Sequence, residues 1–325
     1  MAGFKKLFKL EKKPIRGLLW LEWVVMAYTV LTSVYIAFTY NRLHDAAGML
    51  WGRGQAVIMM LALWGVYRLL PCRMTLFFRV AGQLLMLSWW YPDTFEMNRI
   101  LPNLDHIFAQ AEQALFGLQP ALVFSQQFTS PVLSELLTLG YVSYFPMIAA
   151  VTLFYFLFRY EEFLRASFTI IASFFLFYVI FIAVPAAGPQ FYYPAVGLDQ
   201  IAAGVFPSVG DHFDRIVFSM YDPDIMMPSP GWKDGLFYHL LVETHNAGER
   251  PTAAFPSSHM GITTVVMWLA YKGRSRSLFF TLLPLAVLMF FATFYIYAHY
   301  AIDAIAGVLA GTAMFFAFFR CYKGE

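Results

Sequence analysis

The strongest constraint on what this chain can fold into is a series of eight apolar blocks. They lie at about residues 18–38, 55–70, 75–90, 132–158, 166–184, 256–271, 278–298 and 301–319. A helix needs about 20 apolar residues to cross the hydrocarbon core of a bilayer. Lipid offers no partner to backbone N–H and C=O groups, so such blocks must satisfy them internally as helices. Composition agrees: 60% of the residues are hydrophobic and 13% are charged, against about 25% charged in a soluble domain. The expected fold is therefore all-α, a polytopic membrane protein with about eight transmembrane helices. The second and third blocks are short and joined by a tight Pro71-Cys72-Arg73 turn, which suits a tilted pair or one re-entrant segment.

Lys and Arg concentrate in cytoplasmic loops, and this sets the expected orientation. With both termini cytoplasmic, only Arg42, Arg53, Arg99, Arg215, Lys233 and Arg250 of the 22 Lys and Arg residues fall in outer segments. The others, including Lys5 and Lys6, fall inside. The basic N-terminus precedes an apolar block too long for a signal peptide and is read as leading into a retained span. Residues 1–91 then form the cytoplasmic basic N-terminus and N-terminal spans. Residues 92–325 form a second membrane domain, with an outer cap segment at 185–255 rich in Pro, Gly, Asp and aromatics.

One outer segment, from Tyr91 to Pro131, contains NLDHIFAQAEQALFG at 103–117. Leu104, Ile107, Phe108, Leu115 and Phe116 approximate one helical stripe, which predicts an amphipathic helix lying in the outer interface. Asp105 and Glu112 are expected on its solvated face. The net charge of +2 gives no basis for nucleic-acid binding. Cys72 and Cys321 fit no metal or redox spacing. Without a dinucleotide fingerprint, phosphate loop or His-Glu-x-x-His, no cofactor or metal is expected; the oligomeric state is open.

Two short motifs carry chemistry. In Phe255-Pro256-Ser257-Ser258-His259-Met260-Gly261, Pro256 suits the first turn of a helix, and the N–H groups from Ser257 onward then form an anion site. Ser257 and Ser258 add hydroxyl donors, and His259 stands on the first turn. In His299-Tyr300-Ala301-Ile302-Asp303, a helical spacing of four would let the Asp303 carboxylate accept the imidazole Nδ1–H and leave Nε2 free as nucleophile or base. The sixth block starts at the outer face, the seventh returns to it and the eighth starts there. Topology thus brings both motifs to one depth on the non-cytoplasmic side. An isolated histidine near a span end is usually interfacial, whereas an intramembrane aspartate is usually functional.

FPSSHMG followed by AHYAID resembles the second and third motifs of the type-2 phosphatidic acid phosphatase superfamily, PSGH and SRxxxxxHxxxD. That resemblance implies a six-helix core, with His299 as the nucleophile on phosphorus, Asp303 as its orienting partner and His259 as general acid and base. Ser257, Ser258 and their amides would bind the phosphoryl oxygens. The superfamily's first motif, KxxxxxxRP, is not present in its usual form: Arg250-Pro251, the only Arg-Pro, is preceded seven residues earlier by Glu243 and lies close to PSSH, and Ala292-Thr293 replaces the Ser-Arg of the third. This shortage of cations resembles the branch of inositol phosphorylceramide and sphingomyelin synthases. The segment from Pro185 to Tyr192 is similar to that branch's APPWY segment.

The resemblance implies a membrane enzyme whose substrates are lipids. It would move a phosphorylated headgroup, phosphoinositol in the leading case, from a glycerophospholipid to a ceramide-like acceptor through a histidine-linked intermediate. Arg250, Lys233 and Tyr192 join Ser257 and Ser258 as expected substrate-binding residues. The alternative is a lipid phosphate or pyrophosphate phosphatase using the same residues with water as acceptor. A transporter or inactive scaffold is a third class, set against the lack of repeat-related broken helices.

Overall fold

The computed structural model describes residues 7–215 and 225–324, so Lys5, Lys6 and a stretch of the cap segment lie outside the described residues. The chain is all-α. Its helices are α1 Trp20–Thr39, α2 Ala46–Leu69, α3 Arg73–Asn98, α4 Asp105–Phe116, α5 Pro120–Gln127, α6 Pro131–Val142 and α7 Tyr144–Phe158, followed by α8 Tyr160–Ala183. Then come α9 Pro189–Val196, α10 Leu198–Ala202, α11 Leu236–Gly248, α12 Ser258–Lys272, α13 Arg276–Tyr295 and α14 Ala301–Cys321. Each of the eight apolar blocks becomes helix.

They do not all become spans of equal standing. Helices α1, α2, α8, α13 and α14 are long and apolar enough to cross a membrane, and α6 with α7 makes a sixth candidate if the pair is one broken span. The fourth block bends by 48° at that break. Pro146 supplies a reason, because it lacks the N–H that would bond the Val142 carbonyl. Helix α3 has 26 residues but carries Arg73, Arg79, Asp93 and Glu96. Helix α12 has 15 residues, about 22 Å at 1.5 Å per residue, against about 30 Å of hydrocarbon.

The N-terminal helices are tied together by charge inside the bundle. Arg79 of α3 donates through Nε to Glu22 of α1 at 2.9 Å, and both side chains are fully buried. Arg53 of α2 pairs with Asp93 of α3 at 2.7 Å. Arg53, expected in an outer segment, is buried because α2 begins nine residues earlier than its apolar block. Ionisable groups at such depth persist when paired.

Close backbone approach positions the site. A Cβ on Gly307 of α14 would sit 2.4 Å from the Ser257 carbonyl, and one on Gly311 would sit 2.1 Å from the Gly261 carbonyl. The Gly-x-x-x-Gly spacing thus lets α12 and α14 meet backbone to backbone, with their N-terminal ends side by side. The acids of helix α4 do not lie on the solvated face expected of them. Asp105 and Glu112 are fully buried, while Ile107, Leu115 and Phe116 are exposed. The side carrying Asp105 and Glu112 faces the protein, Ile107, Leu115 and Phe116 face outward, and Phe108 stacks on Phe255 at 4.4 Å.

Candidate active site

At the start of α12 the helix begins two residues later than Pro256 suggests. Ser257 is the N-cap, its hydroxyl oxygen accepting from the Met260 N–H at 3.3 Å. The Ser257 N–H donates to the Asp303 carbonyl at 3.0 Å. These contacts join the two motifs and take two of the amides expected to bind an anion. The Ser258 and His259 N–H groups have no hydrogen-bond partner among the described residues, as is usual for a first turn. They are the donors left for a ligand oxygen.

The His259 ring packs against Tyr141 and Tyr144, each 4.5 Å away between centroids. The break between α6 and α7 falls between these two tyrosines. His299 lies in the connection before α14 and is 4% exposed. Its Nδ1 is 2.8 Å from the Ala254 carbonyl, and its Nε2 is 3.4 Å from His259 Nδ1. A carbonyl can only accept, so His299 Nδ1 carries the proton and Nε2 presents its lone pair toward His259. Burial pushes the His299 pKa down to about 4, which keeps the imidazole neutral at neutral pH.

Asp303 stands beside His299 but does not hold it as expected. The Asp303 Oδ2 is 3.8 Å from His299 Nδ1, too long for a hydrogen bond. It accepts instead from the Tyr300 N–H at 2.9 Å. The reason is a helix boundary: α14 starts at Ala301, so His299 and Asp303 do not share a helical face. The Asp303 carboxyl caps the first turn beside the imidazole, while the Ala254 carbonyl sets the tautomer.

The acids of α4, expected on a solvated face, are part of this construction. Glu112 accepts from the Ala301 N–H at 2.7 Å, so two carboxyl groups cap α14. Burial drives the Glu112 pKa up to about 8, opposed by the Ala301 hydrogen bond. Asp105 accepts from the Ala187 and Gly188 N–H groups at 2.6 and 2.8 Å and from the Asn103 amide. Burial raises its pKa against those three contacts. Gly188 has φ 88° and packs so closely on the Ala298 carbonyl that a side chain would not fit. The Ala186 carbonyl accepts from the Ala254 N–H at 3.0 Å. A continuous chain of contacts therefore runs from Asp105 through residues 186–188 and Ala254 to His299.

The remaining expected residues are dispersed. Ser258 is partly buried at the helix start, its carbonyl 3.4 Å from the Tyr144 hydroxyl. Tyr192 is buried in the cap with its hydroxyl on the Pro207 carbonyl at 2.8 Å. Arg250 is partly buried and donates to the Glu249 carbonyl at 2.8 Å. Lys233 is exposed and lines an outer groove with Pro194, Asp199 and Tyr297. Neither His259 nor His299 forms an ion pair or hydrogen bond with Lys or Arg among the described residues.

Two groups near the pair had no motif to announce them. His245 of α11 is buried and meets Tyr141 edge-on at 6.3 Å, and burial pushes its pKa down to about 4. Glu249 accepts from the Gln190 amide at 2.9 Å, and burial carries its pKa up to about 7, against Gln190 and Arg250. Its charge also acts on Tyr141. The only sequence signal was proximity to Arg250-Pro251.

Chemically, the arrangement offers a neutral imidazole lone pair, a second imidazole facing it and two free helix-start amides. These are the parts that phosphoryl transfer through a histidine needs. No curated protein and no solved structure matches the chain. A family model described as the PAP2 superfamily matches residues 106–317, a stretch that holds His259, His299 and Asp303, and the chain belongs to that superfamily.

Proposed function

We propose that the protein is a membrane enzyme of lipid phosphoesters, in the first instance a lipid phosphate or pyrophosphate phosphatase. The observation that carries this is the approach of His299 Nε2 to His259 Nδ1, 3.4 Å apart beside the free amides of Ser258 and His259. His299 Nε2 attacks phosphorus, and the bond from phosphorus to the lipid oxygen breaks. His259, in its protonated form, gives its proton to that oxygen. Water then attacks the phosphohistidine, His259 takes the water proton, and the P–N bond breaks to release phosphate. His259 thus alternates as acid and base, and Asp303 supports the positive charge that develops on His299. The 3.4 Å separation of the pair leaves no room for phosphorus, so substrate entry moves the rings apart.

A second reading, headgroup transfer, is favoured by one specific feature. No Lys or Arg contacts either histidine among the described residues. A phosphomonoester dianion calls for several cations, and a phosphodiester carries only one negative charge. In that case a glycerophospholipid such as phosphatidylinositol donates its headgroup to His299 and leaves as diacylglycerol. The primary hydroxyl of a ceramide-like acceptor then replaces water. The Lys and Arg bias supports cytoplasmic termini and a site on the opposite face of the membrane.

Purified protein incubated with labelled phosphatidic acid, and separately with labelled phosphatidylinositol with and without ceramide, tests both. Release of inorganic phosphate from phosphatidic acid supports the phosphatase. A labelled ceramide product supports transfer. Turnover of neither substrate, in protein that is folded and lipid-supplied, counts against a phosphoester enzyme of these classes.

A further inference from the structure

At the end of the bundle away from the histidine pair, two connections and the end of α14 converge on a recess of about 980 Å³. Helix α12 runs from His259 at one end to Lys272 at the other, so the recess lies about one helix length, roughly 20 Å, from the candidate site. Five cations line it: Arg159 between α7 and α8, Arg165 on α8, and Lys272, Arg274 and Arg276 around the turn from α12 to α13. Glu162 is the one carboxylate among the lining residues.

Cations in cytoplasmic loops are ordinary when each faces water. Here they face one concavity, where like charges repel, and none forms an ion pair among the described residues. Arg165 is fixed by the Tyr322 carbonyl at 3.2 Å and by the Phe319 ring at 5.0 Å. Arg274 holds a left-handed backbone at φ 55°, which an L-residue adopts at a cost. The rim is aromatic, with Tyr271 62% and Phe280 63% exposed. A basic floor for a phosphate and an apolar rim open to acyl chains together describe a lipid headgroup site.

We propose that this recess binds the phosphorylated headgroup of an anionic phospholipid in the leaflet opposite the histidine pair. Arginine suits the task, since its guanidinium can grip two phosphate oxygens at once. The site is independent of the catalytic one, and its occupancy does not depend on which phosphoester the histidines process.

The test is native mass spectrometry of detergent-purified protein titrated with phosphatidylglycerol or phosphatidylcholine of matched chains. It is run on wild type, on His299→Ala and on an Arg159→Gln/Arg274→Gln/Arg276→Gln triple variant. Gel filtration and turnover by the triple variant establish that it is folded. Wild type and His299→Ala should both retain phosphatidylglycerol in preference to phosphatidylcholine. The triple variant should bind it on the order of 100-fold more weakly, at about fivefold per cation lost. Equal retention of the two lipids, or a preference that survives the triple substitution, overturns the proposal. So does loss of the preference in His299→Ala, which would place the lipid in the catalytic site. A competition arm with inorganic phosphate separates the sources: full displacement by millimolar phosphate would mean a free-anion site and no lipid.

Discussion

Replacing Asp105 is the perturbation that most sharply separates a buried brace from a solvated acid. In Asp105→Ala, the Ala187 and Gly188 N–H groups lose their acceptor in a site that water does not reach. Hydrogen bonds to a charged group are each worth roughly 1.5–3 kcal/mol, so the two together set a loss of about 3–6 kcal/mol. Asp105→Asn is expected to be nearly as harmful, because one amide oxygen replaces two and the new NH2 faces an N–H donor. The damage should travel along the contacts from Ala186 to Ala254 to His299. With the imidazole no longer held in one tautomer and position, turnover should fall roughly 100-fold, the cost of about 1 Å of misplacement. Thermal unfolding in detergent and turnover of a labelled lipid phosphate, read on both variants, provide the assay. Losses under about 0.5 kcal/mol, the usual range for surface changes, with unchanged turnover, would refute the reasoning.

Three further outcomes follow from the same contacts. In the proposed mechanism His299 must be neutral to attack, and its pKa lies at about 4, so the acid limb of kcat/KM should be centred near pH 4. An acid limb centred near the free imidazole value, about 6.5, would contradict this. Glu112 has a raised pKa of about 8, so the stability it contributes is full below about pH 4.5 and is lost as pH rises through about 8. Glu112→Gln should flatten that loss in a pH series of unfolding curves, and an unchanged slope would sink the assignment. Glu22→Ala should cost about 3–5 kcal/mol by stranding the buried Arg79 charge, and a loss within error on denaturation would show that the pair is hydrated.

How much of this was legible in the sequence differs from element to element. The apolar blocks marked all eight helical regions, because lipid demands internally bonded backbone. They did not reveal that 256–271 yields only the short α12, since apolar length says nothing about where Ser257 caps or Gly273 stops a helix. The bend at Ser143 had its signal in Pro146, which lay inside a continuous apolar run. The stripe on α4 was visible, and the side taken by Asp105 and Glu112 was misread. In water a polar face turns outward, but beside lipid it can turn toward the protein, where Ala187, Gly188 and Ala301 present backbone donors.

The histidine pair was legible for a different reason. Helix α13 returns the chain from the far end of α12 to the start of α14, so helix ends counted along the chain bring 259 and 299 to one level. Its partners were not. Ala254 reaches His299 through a carbonyl, which every residue possesses, so no residue type could mark it. Asp303 kept its place near the imidazole but serves Tyr300, because α14 begins after His299. Tyr141, Tyr144, His245 and Glu249 come from three other segments, and only tertiary packing gathers them.

The central claim is that His299 is the phosphoryl acceptor. Rapid alkaline quenching of wild-type protein turning over phosphate-labelled lipid substrate, followed by peptide mapping, tests it most directly. The account predicts label on the peptide containing His299, none in His299→Ala, and longer-lived label in His259→Ala with a substrate whose leaving group needs no proton. Continued turnover with label on no histidine, or label on His259 in its place, would contradict it.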